Sequence, residues 1–203
     1  MVLVGAAQTS LSVAGPRQQL PIASPEAEAA SARSELMALY FTGDTHFGDH
    51  RTINIHKRPF ASSADMDAAL IEAWNETVGG DDVVWHLGDF SRRGAAAEGL
   101  LTRLNGIKHL VAGNNDPPAT RSAAGWASVS DYAEFEIDDR RIVLCHYPFR
   151  SWNGQAKGAL NLHGHSHGRM KPLPRQVDVG VDAWGFCPVS AAQILARLAL
   201  QSG

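Results

Sequence analysis

Of the 203 residues only two are cysteine, Cys145 and Cys187, and they form no Cys-X-X-Cys spacing. That scarcity excludes a disulfide framework and a structural zinc knuckle, and it fits a reducing cytoplasm. Long apolar runs are missing too: nothing approaches the roughly 18 residues a membrane span needs, and the apolar stretch from Met1 to Gly15 lacks the positive n-region of a signal peptide. Positive charge is in short supply, with a formal net charge of −3 and a pI near 6.3. The chain therefore carries no overall electrostatic footprint for duplex nucleic acid. Its length suits one domain able to bury a core without staples.

What the chain does have is five short polar clusters in a fixed order: Asp44-Thr45-His46, Gly88-Asp89, Gly113-Asn114-Asn115-Asp116, a single His146, and Gly164-His165-Ser166-His167. Each follows a short apolar run: Leu39-Tyr40-Phe41, Val83-Val84-Trp85, Leu110-Val111, Ile142-Val143-Leu144 and Leu160-Asn161-Leu162. Every cluster is thus expected at the end of a buried strand, where open α/β sheets bind ligands. If the loops continue as extended chain, positions i and i+2 face one way, pairing Asp44 with His46 and His165 with His167. One Asp-X-His or His-X-His means little alone, but five such clusters, each behind a strand, read as one dinuclear metal site.

The same periodicities outline a domain. Met66, Leu70, Trp74 and Val78 recur every four residues behind Ser62 and Ser63, an amphipathic helix with candidate caps over Asp65 to Val78. A second helix is expected from Ala95 to Leu104, so strand, helix, strand, helix, strand implies parallel pairing. Asp138-Asp139 between Tyr132–Ile137 and Arg141–Cys145 signals a hairpin, a further strand is expected at Val177–Val179, and a helix from Ser190 to about Ala199 closes the chain. Residues 1–36 are rich in Ala, Ser, Gln and Pro, and read as an appendage, with a short helix allowed from Glu26, outside a domain spanning 37–203.

The series Asp-X-His, Gly-Asp, Gly-Asn-X-Asp, His, Gly-His-X-His resembles the calcineurin-like metallophosphoesterase superfamily, from about Phe41 to His167. Phe41 to Gly48, Arg58-Pro59-Phe60 and His86 to Phe90 also resemble its compact bacterial and phage branch of predicted phosphohydrolases. The resemblance implies an α/β fold, a sandwich of two mixed β-sheets flanked by helices. It further implies that Asp44, His46 and His167 hold one divalent ion, that Asn114, His146 and His165 hold the other, and that Asp89 bridges them. Mixed nitrogen and oxygen ligands suit Mn²⁺, Fe²⁺, Zn²⁺ or Ni²⁺ rather than a pure Mg²⁺ or Ca²⁺ cage. The expected chemistry is in-line attack on phosphorus by a metal-bridging hydroxide, with no protein nucleophile.

In one place the chain departs from the family. The third motif usually carries a His that protonates the leaving group, and here Asn115 stands there. A neutral amide cannot serve as an acid, a loss often worth about 10² to 10⁴ in rate. Either the substrate is a diester or anhydride whose leaving group needs no proton, or another acid, such as His50, His56 or His163, takes over. Asp89, Asn115 and Asp116 are the candidate catalytic residues, with Asp116 also suited to holding its own loop. The aromatic and cationic segment Tyr147 to Lys157 offers Arg150 and Trp152, with Asn115, as substrate contacts, and Arg92, Arg93 and Arg169 lie close behind metal-bearing motifs. The expected partner is a small phosphoester or nucleotide-type substrate. The competing reading is a catalytically weak metal-binding scaffold on the same fold.

Overall fold

The computed structural model describes residues 37–200, so the appendage expected at 1–36 lies outside the described residues. Nine strands form two sheets. In the first, β1 (Leu39–Thr42), β2 (Val83–His86), β3 (Ile107–Val111) and β4 (Trp126–Ser130) run parallel in the order β4-β3-β2-β1, and β9 (Val189–Ser190) closes the far side antiparallel to β1. In the second, of order β5-β6-β7-β8, β5 (Ala133–Ile137) and β6 (Arg140–Leu144) pair antiparallel, whereas β7 (Leu160–His163) and β8 (Gln176–Asp178) follow in parallel. Both sheets are mixed, and helices flank them.

Helix α1 spans His50–His56, α2 Ser63–Thr77, α3 Gly94–Leu101, α4 Pro118–Arg121 and α5 Ala191–Leu200. The four-residue stripe of Met66, Leu70 and Trp74 turns inward on α2, and the Ser62 side chain caps the helix by accepting a bond from the Asp65 amide at 3.1 Å. With Ala97, Leu100 and Leu101 of α3 this stripe covers the outer face of the first sheet. The other face of that sheet meets the second sheet over Phe41, Leu87, Leu144, Leu160, Leu162 and Val189, joined by Ile194 of α5.

The period of two along a strand decides which core each side chain enters. On β2, Val84 and His86 are buried toward the helices, while Trp85 turns to the second sheet and stacks 5.5 Å from Phe135. The Asp138-Asp139 hairpin forms with both residues at positive φ, 48° and 60°, the backbone a two-residue primed turn requires. Four elements, α1, α4, β4 and β9, had no sequence expectation. Because β1, β2 and β3 are parallel neighbours, the loops leaving their ends emerge side by side.

Truncating the stripe at its largest member should be severe: Trp74→Ala is expected to cost about 3–5 kcal/mol and Ser62→Ala about 1 kcal/mol, read by urea denaturation.

Candidate metal centre

The loops after β1 and β2 stay zipped beyond the sheet. The Asp44 amide donates to the Gly88 carbonyl, and the His46 and Phe47 amides donate to those of Asp89 and Phe90, each at 2.9 Å. The ligand residues are not extended, however. Asp44, His46, Asp89, His165 and His167 have φ of 57°, 50°, 57°, 65° and 49°. The i and i+2 argument is thereby corrected: these pairs converge because alternate residues adopt left-handed bends, not because a strand continues. Left-handed backbone is uncommon outside glycine and asparagine and is strain of the kind stored at functional sites. Between these bends Gly88, at φ 85°, is forced to be glycine, because a Cβ there would lie 2.6 Å from the His146 ring.

Five loops bring their polar groups together. His46 Nε2 lies 3.5 Å from Asp89 Oδ2, and His146 Nε2 lies 3.6 Å from Asp89 Oδ1 and 3.1 Å from Asn114 Oδ1. His167 Nε2 is 4.0 Å from Asp44 Oδ1, and the His165 ring lies edge-on to His146 with centroids 5.1 Å apart. Asp44, His46 and His167 gather ligand atoms within 4.8 Å of one another, as do Asp44, Asp89 and His146. Asp89 thus presents one oxygen to each histidine, while Asp44 also reaches both groups.

These residues lie within a stretch that known sequences share: the profile of the calcineurin-like phosphoesterase superfamily domain matches residues 37–178. The chain belongs to this superfamily. Among relatives, the gene 66 protein of Mycobacterium phage D29 is 34% identical, over 72% of this chain and 88% of its own length. The gene 66 protein of Mycobacterium phage L5 is 31% identical, over 72% and 87%. A protein of unknown function from Aquifex aeolicus has a solved structure of the same fold, with a TM-score of 0.67 at 22% identity over 79% of this chain and 99% of that one.

Divalent metal is the general requirement of the superfamily, and the residues here fit it. Both ring nitrogens of His46 are buried with no hydrogen-bond partner among the described residues, a costly state unless a cation takes a lone pair. Burial pushes His46 down to about 3, so the ring is neutral, as a ligand must be. Burial, with the charges of Asp178 and Asp89, pushes the Asp44 carboxyl well above its usual range, a repulsion that a bound cation would reverse. For Asp89 burial opposes ionisation, yet His146, the Asn115 hydrogen bonds and His46 together hold it below the ordinary value.

Residues that sequence reasoning did not single out fix these ligands. His146 Nδ1 donates to the Leu87 carbonyl at 2.8 Å and His167 Nδ1 to Asp182 Oδ2 at 2.7 Å, leaving each Nε2 free for a metal. Asp182 is gripped in turn by the buried Arg58, which donates from Nε and Nη2 at 2.9 and 2.7 Å and also reaches the carbonyls of Asp44 and Thr45 at 2.6 and 3.0 Å. One guanidinium therefore holds both the first metal loop and the carboxylate that orients His167. Although burial opposes it, the bonds from His167 and Arg58 keep Asp182 well below the usual carboxylate range. Asp178 orders the last ligand loop by accepting from Ser166 Oγ at 2.5 Å and the Gly168 amide at 2.8 Å. The visible signal was an aspartate at the end of a strand, Asp178, and another four residues on.

Three expected substrate or catalytic residues are placed otherwise. Asp116 is buried and accepts from the amides of Asp89, Phe90 and Gly113 at 2.8, 2.8 and 2.9 Å, so it locks the second and third loops together and has no oxygen left for catalysis. Trp152 is 8% exposed, donates its Nε1–H to the Ala159 carbonyl at 3.0 Å and packs with Val143, so no face is open to a base. Arg150 is exposed and lies outside the residues lining the metal cleft. Asn115 is at the site, but its amide donates to Asp89 Oδ2 at 2.6 Å. Of the proposed substitute acids, His163 is buried, His50 is exposed, and His56 stacks on His167 with centroids 3.4 Å apart. Burial and His167 lower His56 to about 4, which leaves it neutral at ordinary pH. Cys145 is buried with its thiol raised by burial, a packing residue.

Asp182→Asn is expected to weaken Mn²⁺ binding about 10- to 100-fold by titration calorimetry, because His167 loses its charged anchor. A pH effect follows from His86, which burial lowers to about 3. Its folded value lies below the ordinary 6.5, so its contribution is complete above about pH 6.5 and drains away as pH falls. Asp44, held high, titrates in the opposite sense, so the comparison needs His86→Gln. Between about pH 7.5 and about pH 5 the metal-free native chain should lose more degrees of melting midpoint than that variant.

Proposed function

We propose that this chain is a dinuclear metal-dependent phosphoesterase that prefers phosphodiesters or nucleotide-type substrates to simple monoesters. The observation that carries the proposal is the convergence of Asp44, His46, Asp89, Asn114, His146, His165 and His167 from five loops, around His46 ring nitrogens that no described residue hydrogen-bonds. When bound, two ions from the group Mn²⁺, Fe²⁺, Zn²⁺ and Ni²⁺ would supply Lewis acidity and an activated water at neutral pH.

The protein's own part is positioning. Asp44, His46 and His167 would hold one ion, Asn114, His146 and His165 the other, with Asp89 between. The Leu87 carbonyl and Asp182 fix which ring nitrogen each histidine offers. The Asn115 amide steadies Asp89. In the reaction an oxygen–phosphorus bond forms from hydroxide, the bond to the leaving oxygen breaks in line with it, and that oxygen takes its proton from solvent. Asn115 makes the rate depend on the leaving group, because no imidazolium stands ready to protonate a poor one.

After metal reconstitution, aryl diesters are expected to be cleaved about 10² times faster than alkyl ones. Bis-p-nitrophenyl phosphate and p-nitrophenyl phosphate share a leaving group, so their comparison reads the diester preference separately, and the diester should be the faster. Similar rates for aryl and alkyl esters would remove the unassisted leaving group. Asp89→Asn should lower kcat/KM by about 10² or more. Two bound metals with no hydrolysis of any mono-, di- or cyclic ester, read as released alcohol or monoester as well as phosphate, would instead mark a metal-binding scaffold.

A further inference from the structure

A second cleft adjoins the metal centre. The metal cleft, about 270 Å³, is lined by His46, Asp89, Asn114 and His165, and it shares Asp49, Arg51 and Arg92 with a neighbouring cleft of about 290 Å³. Gly48, His50 and Arg93 complete the second one. Three arginines against Asp49 and Asp67, the latter accepting from the Gly48 amide and facing Arg93, leave one positive charge there, on a chain whose net charge is −3. Such a local reversal of sign selects an anion.

The cations are mounted on fixed backbone. Arg92 sits in the loop where Asp116 accepts from the Phe90 amide at 2.8 Å and Thr120 Oγ1 donates to the Ser91 carbonyl at 2.7 Å. The Arg92 guanidinium itself is exposed and makes no hydrogen bond or ion pair with any described residue. Arg93 passes over Gly48, where an added Cβ would lie 3.0 Å from its Cδ. Arg51 is held by Asp49 through bonds of 2.9 and 2.6 Å, so the carboxylate orients one guanidinium and leaves Arg92 unanswered. An unpaired guanidinium on a fixed loop, at the junction of two clefts, is available to a phosphate.

The opposite flank of the centre is aromatic. Tyr147 is 46% exposed and stands edge-on to His165 and His146, with centroids 4.6 and 5.1 Å away, whereas the cationic cleft opens past Asp49 on the His46 side. A stacking ring at one end and a phosphate cradle at the other are the two elements with which proteins follow a single nucleic-acid strand.

Resting on the phosphodiesterase reading above, we propose that Arg92, with Arg51 and Arg93, forms a second phosphate subsite, and that the substrate is a short single strand of nucleic acid whose neighbouring phosphate lies there, the binding energy of that remote phosphate offsetting the poor alkoxide leaving group. The test compares dTpdT with pdTpdT and dTpdTp on the metal-loaded protein. One terminal phosphate is expected to raise kcat/KM about tenfold, the size of one charge-assisted hydrogen bond. In Arg92→Ala that ratio should fall to about one, and Arg92→Lys should restore part of it. Equal rates for all three dinucleotides, an unchanged ratio in Arg92→Ala, or a gain confined to thymidine diphosphate esters with none for dinucleotides would overturn the subsite. Calorimetric titration of the same dinucleotides reads the subsite without turnover: tighter binding of a phosphorylated one, lost in Arg92→Ala, supports it, and equal binding refutes it. Failure to hydrolyse any ester would then count against the phosphoesterase reading alone.

Discussion

Everything at this site follows from placing several acidic groups close together out of water. Asp44, Asp89, Asp178 and Asp182 lie around the ends of β1, β2 and β8, and burial with mutual repulsion drives the Asp44 carboxyl toward its neutral form. Each carboxylate is answered differently. Asp182 is paired with Arg58 and His167, Asp178 is wrapped by backbone amides and Ser166, and Asp89 takes two bonds from Asn115. Among the described residues Asp44 has only the His165 amide, at 2.9 and 3.1 Å to its two oxygens. Its remaining lone pairs, with those of His46, are the clearest demand for cations in the molecule.

Such crowding needs a backbone that turns sharply, and the left-handed residues Asp44, His46, Asp89, His165 and His167 supply it. Ligands in left-handed bends alternate with residues facing away: Thr45 donates to the Phe90 carbonyl and is bonded to His86, while Ser166 turns to Asp178. The strain of these bends is held by the ladder from Asp44 to Phe47 across Gly88 to Phe90, by Asp116 between loops, and by Arg58 beneath. Asp116 and Arg58 are therefore as much part of the centre as its ligands, although neither offers it an atom.

How much of this was legible varies by element. Helix α2 announced itself through Met66, Leu70 and Trp74 because its stripe meets a core, and the hairpin did so through Asp138-Asp139, where short polar residues tolerate positive φ. Helix α1 gave no such signal, since Thr52 is its only buried residue. Strand β4 is an edge whose central Ala127, Ser128 and Val129 are all exposed, and β9 is two residues long. Periodicity reports burial on one face, so elements that bury little escape it. Trp152 misled for a related reason: an aromatic between cations suggests stacking, but whether its faces are free depends on what packs against it.

By itself the sequence determined the fold class and the strand-end positions of five polar clusters, because these depend on residue type and local order along the chain. Tertiary structure decided the rest: which aspartate orients which histidine, that Asp116 locks loops instead of reacting, and that Arg58 reaches across 124 positions to Asp182. The physical reason is that a charge or a lone pair acquires its role from what lies within a few ångströms, and contacts between remote segments are set by packing rather than by spacing in the chain.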